Sequence, residues 1–163
     1  IAVEPFYNRV MDFALEFNVG KHGVTYNGIS VFATSSTGAY TGNYVSGELC
    51  LKRRIPEALQ GHLSDVCKKM QRHLQNVYSQ GYSGPLGVDM MVVEHKGEKY
   101  IHPCVEVNLR QTMGNVCVSL RSQLRRGVAI YRLRPVGETT EATLVLTPCA
   151  KRIEAVLQTE EAE

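Results

Sequence analysis

The sequence contains no tryptophan, and its five cysteines form no CxxC pair. A structural zinc site needs closely spaced thiolate and imidazole ligands, so this pattern argues against one. Cys50, Cys67, Cys104, Cys117 and Cys149 are an odd set at wide spacing. That fits reduced thiols in a cytoplasmic protein better than a disulfide framework. No apolar run approaches the ~18 residues of a membrane span, and no signal peptide is visible. Charge of one sign is also scarce. Lys and Arg number 18 against 16 Asp and Glu, a net charge of +2. The basic clusters Lys52–Arg54, Lys68–Lys69 and Arg125–Arg126 are short and scattered. Neither nucleic acid nor a membrane is therefore expected as a partner.

What is present is an ordinary globular composition, 44% apolar and 21% charged over 163 residues. A chain of this size can bury roughly two-thirds of its unfolded surface in one domain. It opens on IAVEPF, without Met, and reads as starting inside a structured segment. The expectation is a single domain over residues 1–163, excised from a longer protein.

Residues 9–19 read as a strand in which Phe13, Leu15 and Phe17 keep a period of two better than Val10 does. Residues 23–34 read as a second strand, either broken by a turn at Asn27–Gly28 or bulged there. Residues 35–47, rich in Gly, Ser, Thr and Tyr, read as a loop. Pro56 suits the first turn of an amphipathic helix over 57–79, with Leu59, Leu63, Val66, Cys67, Met70, Leu74 and Val77 on its apolar stripe. Residues 86–94 and 99–109 form a hairpin about a tight turn at Lys96–Gly97. Thr112 could cap a helix running to Arg125, with Met113, Val116, Cys117, Leu120 and Leu124 facing the core. Residues 127–134 suggest an edge strand, 144–146 a short strand and 152–157 a terminal helical turn. Helices and antiparallel hairpins mix without a βαβ repeat, so the fold class is α+β.

The richest chemistry lies in IHPCVEVNLRQTMG. Glu106, Asn108 and Arg110 fall at alternate strand positions and so share a face, with Val105, Val107 and Leu109 on the other. A two-residue turn places Asp89 opposite Cys104, which makes Glu106 its diagonal neighbour at roughly 7–8 Å. A one-residue slip would part the two acids. Hard divalent ions prefer oxygen ligands, so Asp89, Glu106 and Asn108 are a candidate magnesium set. The fixed fork of Arg110 suits phosphate or a carboxylate. A solvated strand face with Glu106 and Arg110 as partners explains the same pattern. Asp89 tips the balance, because a lone acid in an apolar strand needs a partner. Lys99 or an arginine could supply it without any metal.

The segment GVDMMVVEHKGEKYIHPCVEVNLRQTMG resembles the carboxy-terminal core of the ATP-grasp superfamily, which places an acid on one strand and Glu-x-Asn on the next after a hairpin. The match is tight over 28 residues. The resemblance implies a carboxy-terminal lobe with a mainly antiparallel sheet and packed helices. It implies ATP and magnesium as cofactors, held by Asp89, Glu106 and Asn108, with Arg110 as the catalytic residue on phosphate or an acylphosphate. It also implies an ATP-dependent carboxylate–amine or carboxylate–thiol ligase as parent, with a small-molecule carboxylate as substrate. The partner would be an amino-terminal ATP-grasp lobe that this chain lacks, so the fragment alone is expected to be inactive. VEPFYNRVMDFALEF resembles the crossing between the lobes, where Glu4 could meet ribose and Asp12 could orient an arginine or contact substrate. Competing classes are a non-catalytic α+β interaction module and a metal-dependent phosphohydrolase.

Three weaker candidates remain. Gly38, Gly42 and Gly47 could form a substrate loop, but there is no GKS or GKT ending of a P-loop. His102 and Cys104 share a strand face, yet a nucleophilic thiol needs a lowered pKa and a positioned base. His22, His62, His73 and His95 lack metal-ligand spacing.

Overall fold

The computed structural model describes residues 5–35, 37–78, 81–123, 128–135 and 142–149. Seven strands form one antiparallel sheet: β1 Asn8–Gly20, β2 Gly23–Thr34, β3 Tyr40–Val45, β4 Gly84–His95, β5 Glu98–Asn108, β6 Val128–Pro135 and β7 Ala142–Cys149. Their spatial order is β5-β4-β1-β2-β3-β6-β7. Three helices, α1 Glu48–Lys52, α2 Glu57–Tyr78 and α3 Met113–Leu120, pack on the sheet, and a 3-10 turn at Arg121–Gln123 follows α3. Among the described residues no helix is long and apolar enough to cross a membrane.

The apolar alternation of β1 sets the layers. Phe13, Leu15 and Phe17 are fully buried and join Ile29, Val31, Leu86, Val88, Met90 and Val92 in the main core. Leu51 of α1 and Leu59, Leu63 and Leu74 of α2 close it. Each such side chain contributes ~1.5–3 kcal/mol on burial. Val77 is left out of this stripe, at 67% exposed. Gln71 and Gln75 fasten α2 to the sheet. Gln75 Oε1 accepts from Val24 N at 2.7 Å, and Gln71 Nε2 donates to Val24 O at 2.6 Å. The opposite sheet face is shared between a small cluster under α3 (Val45, Cys117, Ala129 and Tyr131) and a polar region on β1, β4 and β5.

Two irregularities explain details of the sequence. The β1–β4 register shifts between Arg9 and Met11, so Val10 is the extra residue and is exposed. The β1–β2 register shifts at Asn27, which leaves β2 as one bulged strand with Gly28 at φ +152°. The turn at Lys96–Gly97 has positive φ at both positions, 53° and 81°, the geometry of a two-residue hairpin.

Four expectations need correction. Residues 40–45 are strand β3 rather than loop: its pairing with β2 and β6 outweighs a composition that resembles a turn. Strand β6 is interior, because β7 pairs with its outer side. The second helix ends at Leu120 and tightens into the 3-10 turn. Val105 and Leu109 are 48% and 42% exposed; of Val105, Val107 and Leu109, expected to share the face opposite Glu106, only Val107 packs on the core, and Leu109 lies just past the end of β5. Leu124, Glu4 and the helical turn expected at 152–157 lie outside the described residues.

Candidate functional site

The hairpin register departs from the simple count in a way that tightens the acid pair. Met91 pairs with His102 as expected for the two-residue turn, but Asp89 pairs with Glu106, not Cys104. Pro103, Cys104 and Val105 therefore stand against Met90 alone. Proline has no N–H for a ladder, which suits a bulge. Two extra residues are an even number, so the side-chain faces are preserved. Asp89 and Glu106 become direct cross-strand neighbours instead of diagonal ones.

Asn108 and Arg110 complete a chain of contacts. Asn108 is buried, and its Nδ2 donates to Asp89 Oδ2 at 3.1 Å. Its Oδ1 accepts from an Arg110 terminal nitrogen at 2.9 Å. Glu106 and Arg110 are exposed at the open side. Burial, then the charge of Glu106, pushes Asp89 up to about 6; the Asn108 bond and Arg110 oppose that rise, and Asp12 adds to it. Lys99 is not the partner of Asp89, because it pairs across the ladder with Glu94. The arginine hydrogen-bonds to Asn108 rather than to Asp89, and lowers Asp89 by its charge. Asp12 does engage an arginine, Arg9, at 3.1 Å, and accepts from Thr34 Oγ1 at 2.7 Å.

Beside the acids lies an open groove of about 1380 Å³ between residues 5–9 and the β4–β5 hairpin. Phe6, Tyr7, Met91, Tyr100, His102 and Cys104 are among its lining residues. The Tyr7 ring meets His102 edge-on at 4.9 Å. His102 Nδ1 is buried without a hydrogen-bond partner among the described residues. Burial and the charge of Asp89 raise the Cys104 thiol above its ordinary value, the reverse of what a nucleophilic cysteine needs.

Among the described residues no three His, Cys, Asp or Glu side chains gather as a metal site. The candidate set instead combines two carboxylates with one amide. Its chemistry suits a magnesium–phosphate complex: hard oxygen donors, few of them, leaving coordination positions for water and phosphate. Burial raises Asp89 most and the charge of Glu106 next, and a divalent cation would oppose both.

The sequence reading missed Glu16, a buried carboxylate on β1 that is 1% exposed. Burial is the chief reason it is pushed up to about 7. Its partners are Ser30 Oγ at 3.0 Å, Thr112 Oγ1 at 2.8 Å and Asn115 Nδ2 at 2.7 Å. An available signal was a glutamate at the centre of the apolar run FALEFNV.

No family model matches this sequence, and no curated protein matches it. Solved structures do. An Archaeoglobus fulgidus protein assigned to the ATP-grasp superfamily matches with a TM-score of 0.54 at 17% identity, over 88% of this chain and 47% of that one. Staphylococcus aureus N5-carboxyaminoimidazole synthetase, complexed with ADP, matches with a TM-score of 0.52 at 8% identity, over 98% of this chain and 51% of that one. A Rhizobium etli pyruvate carboxylase variant with acetyl coenzyme A matches with a TM-score of 0.52 at 11% identity, over 94% of this chain and 20% of that one. The chain thus spans about half the length of the first two proteins and a fifth of the third. At these identities the likeness shows the fold alone, a mixed α+β architecture with an antiparallel sheet and packed helices that these solved structures share.

Proposed function

We propose that this chain is the carboxy-terminal lobe of a cytoplasmic ATP-dependent ligase and carries half of a magnesium–ATP site. The observation that carries the reading is the opposition of Asp89 and Glu106 on a sheet face that also presents Asn108 and Arg110, next to an aromatic-lined groove. Asp89 and Glu106 would hold magnesium, with the Asn108 carbonyl oxygen as a third donor. Bound magnesium would neutralise triphosphate charge and polarise the transferred phosphoryl group. Arg110 would hold a phosphate oxygen or the activated carboxylate through its planar fork. The groove beside Tyr7 and Tyr100 offers apolar and aromatic surface for a base.

The chemistry proposed for the whole protein is activation of a small carboxylate as an acylphosphate, followed by attack of an amine or thiol. Positioning carries such catalysis, so a second lobe is needed to enclose the phosphates. Calorimetric titration of magnesium–ATP into this chain, and into a Glu106→Ala, Asn108→Ala double variant, tests the binding half. Magnesium-dependent binding lost in a folded double variant supports the reading. Equal binding by both proteins removes these residues as ligands. No binding by either calls for the same titration of the two-lobed parent, and no binding there favours an interaction module in which Asp89, Asn108 and Arg110 satisfy one another.

A further inference from the structure

Among the described residues Glu16 bonds to the neutral side chains of Ser30, Thr112 and Asn115, and the fold is shaped around it. It stands between two glycines in the sheet, paired with Gly28 on β2 and with Gly87 on β4. A Cβ at Gly87 would lie 2.7 Å from Glu16 Oε2 and 2.8 Å from Thr112 Cγ2. A Cβ at Gly114, in the first turn of α3, would fall onto Glu16 Oε1 and Ser30 Oγ. Bare backbone below and above lets α3 settle on the sheet with a single carboxylate between them.

That carboxylate is bonded to the start of α3. Thr112 is the N-cap, and its hydroxyl accepts from Asn115 N at 2.9 Å while donating to Glu16 Oε2. Asn115 reaches the same oxygen and also Leu86 O, at 3.3 Å, on β4. Its Oδ1 accepts from Asn27 Nδ2 at 3.4 Å, so the β2 bulge joins the network. Between Asn108 and Thr112 the chain turns in three residues, closed by Arg110 N donating to Asn108 O at 2.9 Å. Arg110 therefore sits in a short bridge with anchors at both ends. One is Asn108 on β5; the other is Thr112 on Glu16.

We infer that Glu16 is a positioning residue for the candidate site: through Thr112 and Asn115 it fixes the start of α3 and so holds Arg110 on the face that carries Asp89 and Glu106. The consequence for ligand binding rests on the magnesium–ATP reading; the consequence for the position of Arg110 does not.

The experiment uses this chain and three single variants. Glu16→Gln keeps the shape and removes the charge, and Thr112→Val removes the hydroxyl that links Glu16 to the turn. Ser30→Ala removes a donor to the other oxygen of the same carboxylate, Oε1, and no bond to Thr112 or Asn115, and so reports the purely structural cost. The readouts are the Arg110 side-chain N–H resonance, amide hydrogen exchange over 110–116, and magnesium–ATP affinity. Glu16→Gln and Thr112→Val are expected to shift the Arg110 resonance, to speed exchange at the turn about tenfold, and to weaken magnesium–ATP binding about tenfold, as loss of a charge-assisted bond predicts. Ser30→Ala is expected to leave all three readouts near wild type. An unmoved resonance and unchanged exchange in folded Glu16→Gln overturn the inference. So does a loosened turn with unchanged magnesium–ATP affinity, because Glu16 would then serve the fold alone. If Glu16→Gln fails to fold, Glu16→Asp, which draws the carboxylate back from Thr112 by one methylene and leaves the cap in place, makes the same test. If wild type binds no magnesium–ATP without its second lobe, the nucleotide reading passes to titration of the two-lobed parent, and the Arg110 resonance with turn exchange decides the inference.

Discussion

Asp89 and Glu106 are direct partners across the β4–β5 ladder, and the pair is uncomfortable. Burial and the facing charge raise Asp89 to about 6 from an ordinary 3.8. A carboxylate whose folded pKa lies above its unfolded value is destabilising once it ionises, so removing its charge at neutral pH should help the fold. Asp89→Asn is expected to stabilise the ligand-free chain by up to about 1 kcal/mol after solvent screening, or about 2–4 °C in Tm. The same change should weaken magnesium-dependent ATP binding by at least about tenfold. Thermal unfolding and titration of one sample check both signs. A variant that is less stable would mark Asp89 as a structural ion partner.

The two acids illustrate how far the sequence could be read. Their residue types and their shared face were legible, because strand alternation fixes faces regardless of a two-residue slip. Their direct opposition was not, since the bulge at Pro103–Val105 leaves no trace in period-two alternation. Strand β3 was illegible for another reason. YTGNYV has too few apolar residues to show alternation, and its place in the sheet depends on β6, far away in sequence, as well as on the neighbouring β2. Glu16 reads locally as one polar position in a strand. Its place as a buried centre depends on the tertiary meeting of Gly87 and Gly114 over it.

The pH dependence of stability should carry the signature of Glu16. Burial raises its folded pKa to about 7 from 4.5, with the Thr112 and Ser30 bonds opposing and Asp89 adding. Between those values the folded chain holds a proton that the unfolded chain releases. Stability is therefore highest below the unfolded value and falls as pH rises through about 7. Glu16→Gln should flatten that fall by on the order of 2 kcal/mol. Urea unfolding at about pH 5 and about pH 8 checks this, best in an Asp89→Asn background, because Asp89 titrates in the same direction over a lower window. An equal fall in both proteins would assign the slope to other groups.

Two helical glycines should respond to alanine with opposite signs. Gly61 lies in α2 with nothing within 4 Å of an added Cβ, so Gly61→Ala should stabilise by about 0.5–1 kcal/mol through helix propensity. Gly114 lies in α3 over Glu16 and Ser30. There the overlap with two buried side chains outweighs propensity, and Gly114→Ala should cost about 2–3 kcal/mol or more. Shortening the residue beneath, as in Glu16→Ser, should reduce the cost of Gly114→Ala, a coupling that denaturant unfolding of the four proteins in the cycle can measure. Additive effects would mean that α3 adjusts without pressing on Glu16.

Cys104 offers a direct view of the groove, with Cys50 as an internal control. Both are exposed free thiols; Cys104 lines the groove, whereas Cys50 lies on α1. Two effects oppose each other at Cys104. A cation at Asp89 would cancel a charge that now raises the thiol pKa, and the larger thiolate fraction would speed alkylation. A nucleotide lying in the groove would block the reagent. Magnesium alone is therefore expected to speed labelling of Cys104, and magnesium–ATP to slow it, with Cys50 unchanged in both. Site-resolved alkylation followed by mass spectrometry reads these rates. Slowing at Cys104 alone would place the nucleotide in the groove. Acceleration in both arms would leave a cation at Asp89 with the groove open, and equal rates throughout would remove this face as the site.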